Sequence, residues 1–524
     1  MDSRFCRAVG TNVHDRFDQP IVFQGMGIGG WLLIEGYMIQ SRGSIDRPRR
    51  FYDHLIKTVG EEEAQSFIKQ WQTYFFTEED VAYLAKHGFN LIRIALDYAV
   101  FFEPSDHEAT LKLNPEAWER LDHIVDACER HGVYVMLDLH AAPGGQTGAN
   151  IDNSKDDHPE LFKHRLYQDQ TVFVWETFAQ HYRHSKTIAA YDLLNEPLPK
   201  WFNQYNEALM PLYERLIKAI RAIDKDHMIT LEGLHWSTDF SCFKTLSDDN
   251  VLLQFHKYWC APEEAQMTEY LKAREHHQRP IIMGEGGENN LLWYAAAFKM
   301  YLQHDIGTVF WSYKKMATHN SLKSFDKPQK WDAFLEGKLD KEERLQTLNE
   351  LLHAIRYDQT QSLPEVIHAL QNRQSFTLWA HSYDYLGLNR SFYRETPHSS
   401  SIRKADGMRI VNAKGEVTEP NFWHQKGEEV AINDRLYLVL EKEEWVNYTF
   451  HIAPPTHRVL IELLNVKGDI EVSINGVPMT LHEHSIFASN LNLTNTLTIK
   501  ANQTTWLERL RFTALDVKGN FVTD

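Results

Sequence analysis

The stretch that decides the fold is Ala189-Ala190-Tyr191-Asp192-Leu193-Leu194-Asn195-Glu196-Pro197, an apolar run that ends in an amide, a carboxylate and a proline. Near-continuous apolar runs are typical of parallel strands buried on both faces, and carboxylates are seldom fully buried without a partner. We therefore expect a buried strand whose carboxyl end presents Glu196 for chemistry rather than for packing.

A second stretch has the same design: Pro280-Ile281-Ile282-Met283-Gly284-Glu285-Gly286-Gly287. It is an apolar run that ends in a glutamate, here between glycines. Two carboxylates at two strand ends are the groups that cleave a glycosidic bond, one as the proton donor and the other as the nucleophile or base. Either glutamate alone could pair with a nearby arginine, but the two together favour catalysis.

Eight strand-like runs precede residue 315, with helical patterns between most of them, and this alternation predicts parallel βαβ units closed into a (β/α)8 barrel. Glu196 would end the fourth strand and Glu285 the seventh. The predicted strands are Ile21–Gly27, Asn90–Leu96, Tyr134–His140, Ile188–Glu196, Met228–Gly233, Val251–Tyr258, Pro280–Glu285 and Gly307–Tyr313.

From about Ser375 the pattern changes to short alternating runs with turn residues such as Asn475-Gly476, which predicts a smaller all-β sandwich. A chain of 524 residues is also longer than one core supports. We expect a barrel over residues 1–357, a linker over 358–374 and the sandwich over 375–524.

The formal net charge of −17 is spread along the chain without an acidic or basic block, which argues against nucleic acid or an anionic membrane as a partner. The first residues lack the apolar run of a secretion signal, so a cytoplasmic location is the expectation. An oligomer formed through the sandwich remains possible.

Seven motifs follow one another across the predicted barrel. They are the glycine-rich run from Gly25 to Trp31 and on to Glu35, Asn90-Leu-Ile-Arg93, Leu137-Asp-Leu-His140, Asn195-Glu196-Pro197, His256-Lys-Tyr258, Gly284-Glu285 and Phe310-Trp311. Together and in this order they resemble the motifs of glycoside hydrolase family 5, and most of all those of its exo-β-1,3-glucanase branch.

This resemblance implies retaining cleavage of a β-glycosidic bond, with Glu196 as general acid/base and Glu285 as nucleophile. Arg93 would keep Glu285 ionised, and Tyr258 would hold it for attack. The other substrate-binding residues that the resemblance implies are Glu35, His140, Asn195, His256 and Trp311. Glu35 favours a pocket for a terminal sugar, with glucose as first choice and mannose as second.

Gly25-x-Gly27-x-x-Gly30 also matches a dinucleotide-binding pattern. That pattern needs a helix next and an acidic residue about 20 residues on. Here the next strand begins only near Asn90, so we expect no nucleotide cofactor. Metal ligands are too sparse to predict a metal site, and cleavage by two carboxylates needs none.

The C-terminal part resembles carbohydrate-binding modules of families 6 and 35, through runs such as Glu444–Phe450 and Trp506–Phe512. A structural role for this part is the preferred interpretation. The expected partner is thus a short β-linked oligosaccharide or glycoside. An endo-β-glucanase, a β-mannosidase or a non-catalytic sugar-binding barrel remain as alternatives.

Overall fold

The computed structural model describes residues 4–456, 458–516 and 518–522. Eight strands close into one barrel. Their bounds are Gln24–Leu32 (β1), Leu91–Asp97 (β2), Tyr134–Ala141 (β3), Ile188–Asp192 (β4), Met228–Glu232 (β5), Val251–His256 (β6), Ile281–Gly287 (β7) and Gly307–Trp311 (β8). The spatial order around the barrel is β5-β6-β7-β8-β1-β2-β3-β4.

The predicted (β/α)8 barrel is therefore confirmed, and each of the eight predicted runs overlaps one of its strands. Neighbouring strands pair in parallel, as they must when a helix or loop returns the chain to the same end. The described helices are Pro48–Val59, Glu61–Tyr74, Glu78–Lys86, Tyr98–Phe101, Pro115–His131, Arg165–Tyr182, Leu209–Ile223, Thr268–His277, Leu291–Gln303, Trp331–Leu335, Lys341–Ala354 and Pro364–Gln371. Leu234–Ser237 is a short turn in which His235 and Trp236 depart from right-handed helical geometry.

Two strands differ from the prediction. β1 continues to Leu32 instead of ending at Gly27, since its glycines, which weaken a strand pattern in the sequence, leave room here for a neighbouring ring. β4 ends at Asp192, so Glu196 lies four residues beyond the strand rather than at its last position. Glu196 itself adopts a left-handed conformation, with φ of +46°.

Short strands complete the structure before residue 363: Arg7–Val9, Asn12–His14, Pro20–Ile21, Phe102–Glu103, Lys112–Leu113, Lys314–Met316, Lys323–Phe325 and Gln361–Ser362. Single 3-10 turns lie at Gly36–Ile39, Glu160–Phe162, Glu264–Met267 and Tyr357–Gln359, with a further one at Ile432–Asp434, and a longer 3-10 segment, Lys200–Ala208, is kinked at Phe202. Among the described residues, no helix combines the length and the apolar character needed to cross a bilayer.

The C-terminal region is all-β and antiparallel, as predicted. A four-stranded sheet joins Phe376–Trp379, Arg509–Leu515, Arg458–Leu464 and Ser485–Ser489. A five-stranded sheet joins Phe392–Tyr393, Trp445–His451, Thr494–Ala501, Ile470–Ile474 and Val477–Pro478. A third sheet joins Arg409–Asn412, Leu436–Leu440 and Thr505–Leu507. Alternate residues of Trp445–His451 are buried, the pattern of a sheet with one packed face.

The chain forms two compact units. The first comprises Met1–Lys257, Glu269–Gly286 and Ile306–Ser362, and the second Tyr258–Thr268, Gly287–Asp305 and Leu363–Asp524. The segment expected to be a linker contains the helix Pro364–Gln371 and belongs largely to the second unit. The predicted domain limits of 1–357 and 375–524 stay a prediction.

Candidate active site

The barrel interior changes from apolar to polar along its axis. Side chains that alternate along a strand point to the same face, so residues two apart stack in layers. An apolar layer contains Leu91, Met136, Ala190, Met228, Leu252, Ile282 and Val309. Two residues further on, the same strands carry Arg93, Asp138, Asp192, Thr230, Gln254, Gly284 and Trp311. The polar layer lies towards the carboxyl ends of the strands, where barrel enzymes place their chemistry.

Glu196 is held at both its main chain and its side chain. Its N–H donates to Glu232 Oε2 at 2.7 Å, and its Oε1 lies 2.8 Å from His256 Nδ1. Burial raises the pKa of Glu196 to about 7, although the hydrogen bond with His256 lowers it, and the nearby charge of Glu285 raises it further. A carboxyl group in this state retains its proton near neutral pH, as a general acid must.

Glu285 is aimed into the barrel by a bulge. The register between β6 and β7 pairs Phe255 with Met283 but His256 with Glu285, so Gly284 is an extra residue on β7. A Cβ at Gly284 would come within 2.1 Å of the Gln254 side chain, so any other residue there requires a neighbouring group to move. Arg93 Nη1 donates to Glu285 Oε2 at 2.8 Å.

The two glutamates lie close enough to act on one bond. One carboxylate oxygen of each, together with a ring nitrogen of His256, lies within 4.8 Å of the others. Retaining glycosidases hold their two carboxyl groups about 5–5.5 Å apart, whereas inverting ones leave about 6.5–9.5 Å for a water molecule. The upper limit of 4.8 Å between one oxygen of each glutamate brings both carboxyl groups within reach of a single glycosidic bond, as a retaining pair requires.

Arg93 is the cation at the centre of the polar layer and is fully buried. Besides Glu285, its Nε donates to Asp192 Oδ2 and its Nη2 to Glu232 Oε1, each at 2.8 Å. Asp138 Oδ1 lies 3.1 Å from Nη2. A single positive charge thus lies beside four carboxylates. Burial raises the pKa of Asp192 well above its ordinary value and the pKa of Glu232 to about 7, although the charge of Arg93 lowers both pKa values.

A second group surrounds His140. Its Nδ1 lies 2.6 Å from Asp138 Oδ2, and its Nε2 lies 3.3 Å from Glu35 Oε1. Burial works against the charged ring, but these two carboxylates outweigh it and raise the pKa of His140 well above its ordinary value. His140 also stacks on Trp311, with ring centres 5.3 Å apart and planes 5° from parallel.

The glycine run in β1 is explained by Trp311. A Cβ at Gly27 or Gly29 would lie 2.5 Å from the indole, so these glycines make the space in which the ring sits. Trp311 Nε1 donates to the Tyr37 hydroxyl at 2.7 Å. Gly27 and Gly29 therefore accommodate the Trp311 side chain.

Asn195 is oriented by Arg93. Because a guanidinium only donates, the Asn195 oxygen accepts from Arg93 Nη2 at 2.9 Å, which leaves the amide nitrogen 3.1 Å from His140 Nε2. The amide N–H groups thus lie on the side of His140, another residue that the resemblance implies for substrate binding.

The structure thus brings together Glu35, Arg93, His140, Asn195, Glu196, His256, Glu285 and Trp311. Tyr258 belongs to the second compact unit, where its ring lies 5.2 Å from that of Trp259. Its expected hydrogen bond to Glu285 stays a prediction.

Sequence reasoning missed Asp138, Asp192, Glu232 and Gln254. Each is a polar residue inside an apolar strand run, and each is fully buried. The signal was available, because a buried carboxylate needs a cation and Arg93 is the only arginine in the eight predicted runs. What the sequence does not contain is the convergence of four strands on that one residue.

Two sets of side chains have the spacing of metal ligands among the described residues: Glu196, His256 and Glu285, and also Asp138, Asp192 and Glu232. In the second set, oxygens of all three carboxylates already contact Arg93. Arg93 therefore supplies the positive charge that a metal would bring, and the first set contains the glutamate pair described above.

One class of protein matches this geometry: a (β/α)8 barrel with two facing glutamates at the carboxyl ends of β4 and β7 is the arrangement of a retaining glycoside hydrolase. Residues 57–317 match the family described as cellulase, glycosyl hydrolase family 5. The barrel of this chain belongs to that family.

Curated relatives point the same way. The chain is 33% identical over 256 residues to a β-xylosidase of Phanerodontia chrysosporium, covering 48% of this chain and 52% of that protein. It is 29% identical over 278 residues to a probable glucan 1,3-β-glucosidase A of Emericella nidulans, and this match covers 50% of this chain and 66% of that protein. The chain thus spans between about half and two thirds of the length of these relatives.

A solved endogalactoceramidase structure covers 98% of this chain and 100% of its own, at 13% identity and a TM-score of 0.49. That score is too low to support an argument about either unit.

Proposed function

We propose that this protein is a retaining β-glycosidase that releases one terminal sugar, with glucose as the first choice, from a short oligosaccharide or a glycoside. The proposal rests on one observation: Glu196 and Glu285 have carboxylate oxygens within 4.8 Å of each other, and Glu196 has a pKa raised to about 7. The two glutamates therefore differ in surroundings, as an acid and a nucleophile must.

In the first step, a Glu285 oxygen attacks the anomeric carbon while Glu196 gives its proton to the glycosidic oxygen, so that the leaving group departs as a neutral alcohol. In the second step, the Glu196 carboxylate takes a proton from water, the water oxygen bonds to the anomeric carbon, and Glu285 is released. Arg93 stays charged throughout and stabilises Glu285 as a leaving carboxylate.

The burial of the glutamates supports action at a chain end. Glu196 and Glu285 are 8% and 5% exposed, and Glu35 is 2% exposed beside His140. The loop that follows β1 is tied to the loop that follows β3, because Arg47 donates to Ser154 Oγ at 2.7 Å, and Asn153 of the latter loop donates to Asp97 at the end of β2 at 2.7 Å. An endo-acting enzyme would instead need an open groove for several sugars.

An aromatic pair close to Glu196 in the chain is the candidate for the leaving-group side. Trp201 lies five residues after Glu196 and is 62% exposed, and its ring centre is 5.6 Å from that of the half-buried Trp236. The loops that carry the pair are tied together because the His235 N–H donates to the Leu198 carbonyl at 3.0 Å. His235, Trp236 and Ser237 all adopt left-handed conformations, a strain that accumulates at functional sites. A ring of the leaving group would stack there.

The first experiment compares hydrolysis of aryl β-glucoside, β-xyloside, β-mannoside and β-cellobioside by the wild type and by Glu285→Gln. Release from the monosaccharide glycosides, lost in the variant, supports the proposal. The xyloside is included because a relative is named a β-xylosidase. Cleavage of the cellobioside alone would contradict exo action. No cleavage by wild type would favour a sugar-binding barrel.

The aromatic pair is tested with two donors, an aryl β-glycoside and the matching β-glycosyl fluoride, whose leaving group has no ring. We expect Trp201→Ala and Trp236→Ala to raise KM for the aryl donor several-fold and to leave the fluoride unchanged. Phe17→Ala, which removes another exposed ring, is the control. Equal effects on both donors would place the pair outside the leaving-group site.

A further inference from the structure

Glu232 connects the proposed acid/base to the rest of the polar layer, although it is neither of the two catalytic glutamates. It is the last residue of β5 and is fully buried. Its two carboxylate oxygens accept hydrogen bonds from different groups. Oε2 accepts the Glu196 N–H at 2.7 Å, whereas Oε1 accepts from Arg93 Nη2 at 2.8 Å and from Gln254 Nε2.

The contact with the Glu196 N–H has a particular consequence. Glu196 has φ of +46°, a conformation that costs a residue with a Cβ about 1–2 kcal/mol. A short hydrogen bond from that N–H to a buried carboxylate is stronger than a neutral one and holds the strained main chain in place. The direction in which the Glu196 side chain leaves the main chain is therefore fixed from β5.

A second contact fixes the Glu196 side chain through a histidine. His256 Nε2 lies 3.3 Å from Glu232 Oε1, and His256 Nδ1 lies 2.8 Å from Glu196 Oε1. The ring is thus held between two glutamates. Glu232 is thus linked to Glu196 twice: directly, through the hydrogen bond from the Glu196 N–H, and indirectly, through the His256 imidazole.

We propose that Glu232 is a positioning residue for the reaction: it orients Glu196 for proton donation to the leaving-group oxygen, through the Glu196 N–H and the His256 ring. This inference rests on the proposed function. Glu232 touches neither reacting atom, so its effect should be confined to the step in which Glu196 gives or takes a proton.

Charged and titratable groups face Glu232 from every neighbouring element. They are Arg93 from β2, Asp138 from β3, Asp192 and Glu196 from β4 and its loop, His256 from β6 and Glu285 from β7. Tyr213, from the helix Leu209–Ile223, donates its hydroxyl to the Glu232 carbonyl at 3.0 Å. The charge of Glu232 is one of the influences that raise the pKa of Glu196. Removing that charge should therefore lower the pKa of the acid.

The test uses Glu232→Gln and Glu232→Leu, with a series of aryl β-glycosides whose leaving groups differ in pKa. Misplacement of Glu196 should lower kcat/KM most for substrates whose leaving group needs a proton. We expect kcat/KM to fall about 10²-fold for poor leaving groups and only several-fold for activated ones. The plot of log kcat/KM against leaving-group pKa should therefore become steeper than in the wild type.

Thr230→Val is the matched control, because Thr230 lies two residues earlier on β5 and its buried hydroxyl makes no hydrogen bond within the described residues. It should leave the slope unchanged. In Glu232→Gln, the alkaline limb of the pH profile should also move to lower pH, which a purely structural defect would not cause.

The possible outcomes distinguish failure of the positioning role of Glu232 from failure of the proposed function. An equal loss on all leaving groups, or an unchanged slope with an unmoved alkaline limb in Glu232→Gln, would overturn the positioning role. If Glu232→Leu does not fold, Glu232→Gln decides alone, because it keeps a side chain of the same shape. Failure of the wild type to cleave any aryl glycoside would refute the proposed function instead.

Discussion

Glu196 shows how a single residue combines two opposite influences. Burial favours its neutral form, while His256 stabilises the charged form at 2.8 Å, and the balance raises its pKa to about 7. The proton is thus retained at neutral pH but is released when the leaving-group oxygen develops charge. A carboxyl exposed to water would have lost that proton near pH ~4.3.

The raised pKa predicts the pH profile. Because the acid form is the active one for substrates that need protonation, kcat/KM should fall about tenfold per pH unit above about pH 7. Glu196→Gln, assayed with an activated aryl glycoside whose departure in the first step needs no proton, should show no alkaline limb. An alkaline limb that persists in Glu196→Gln would assign the titration to another group.

Chemical rescue separates the roles of the two glutamates. With Glu285→Ala, added azide should take the place of the nucleophile and give an α-glycosyl azide by a single inversion. With Glu196→Ala, azide should attack the glycosyl-enzyme and give a β-glycosyl azide after two inversions. The product configuration, measured by NMR, decides the assignment. The opposite configurations would exchange the roles of Glu196 and Glu285.

At the scale of elements, bulges bring the functional side chains inward. The extra residue is Gly284 on β7 and His140 on β3, where the register pairs Leu96 with Leu139 but Asp97 with Ala141. Both bulges lie at the carboxyl ends of their strands. A regular strand would turn the following residue to the other face, because the side-chain period is two.

Gly284→Ala should therefore damage both stability and activity. The added methyl would meet Gln254 at 2.1 Å, which forces the bulge or Gln254 to move, at a cost of about 1–3 kcal/mol. Gly307→Ala is the control on a neighbouring strand, since its nearest contact would be 3.3 Å. The Tm and kcat/KM should both fall in Gly284→Ala and should stay near the wild-type values in Gly307→Ala. Equal values for the two variants would show that the bulge tolerates a side chain.

The strands could be predicted because buried parallel strands have a distinctive apolar run, and Tyr134 and Met228 were placed at the correct first residues of β3 and β5. The extension of β1 could not be predicted, since it depends on the fit of Trp311 against glycines that lie far away in the sequence. The role of Glu232 was hidden for the same reason, because its partners come from other strands or their loops.

At the scale of the whole molecule, the polar layer should reduce stability at high pH. Glu196 and Glu232 both have a folded-state pKa of about 7, above the unfolded value of about 4.3. Their unfolded forms ionise first, so stability that is present below about pH 4.3 is lost progressively as the pH rises to about 7. The loss is at most about 4 kcal/mol for each group.

Replacing Glu196 with a residue that does not ionise should therefore affect thermal stability differently at different pH values. The Tm of Glu196→Gln, relative to the wild type, should be more favourable at about pH 8 than at about pH 5, since glutamine keeps the neutral form at every pH. Gln65→Glu, at an exposed position, serves as the reference for an unburied carboxyl. A Tm difference between Glu196→Gln and wild type that does not change with pH would contradict the raised pKa.

The two units are interleaved along the chain, and this affects where the chain can be cut. The helix Leu291–Gln303 is buried almost throughout from Trp293 to Tyr301, and it contacts the helix Pro364–Gln371 and the strand Phe376–Trp379. A chain that ends at Ser362 would keep that apolar helix without those partners. We expect such a truncation to be insoluble, and the soluble fraction after expression measures it. A soluble, active truncation would contradict this.

The same interleaving governs the order of events on the ribosome. Phe376 follows Gln303 by 73 residues, so at roughly 5–20 residues per second the helix waits about 4–15 s for its partner strand to be made. During that interval a helix with a tryptophan, two tyrosines and a phenylalanine in its buried part lacks the strand Phe376–Trp379 against which it packs. The nascent chain should therefore depend on chaperones that bind apolar helices, and slower translation between these points should lower the yield of folded protein.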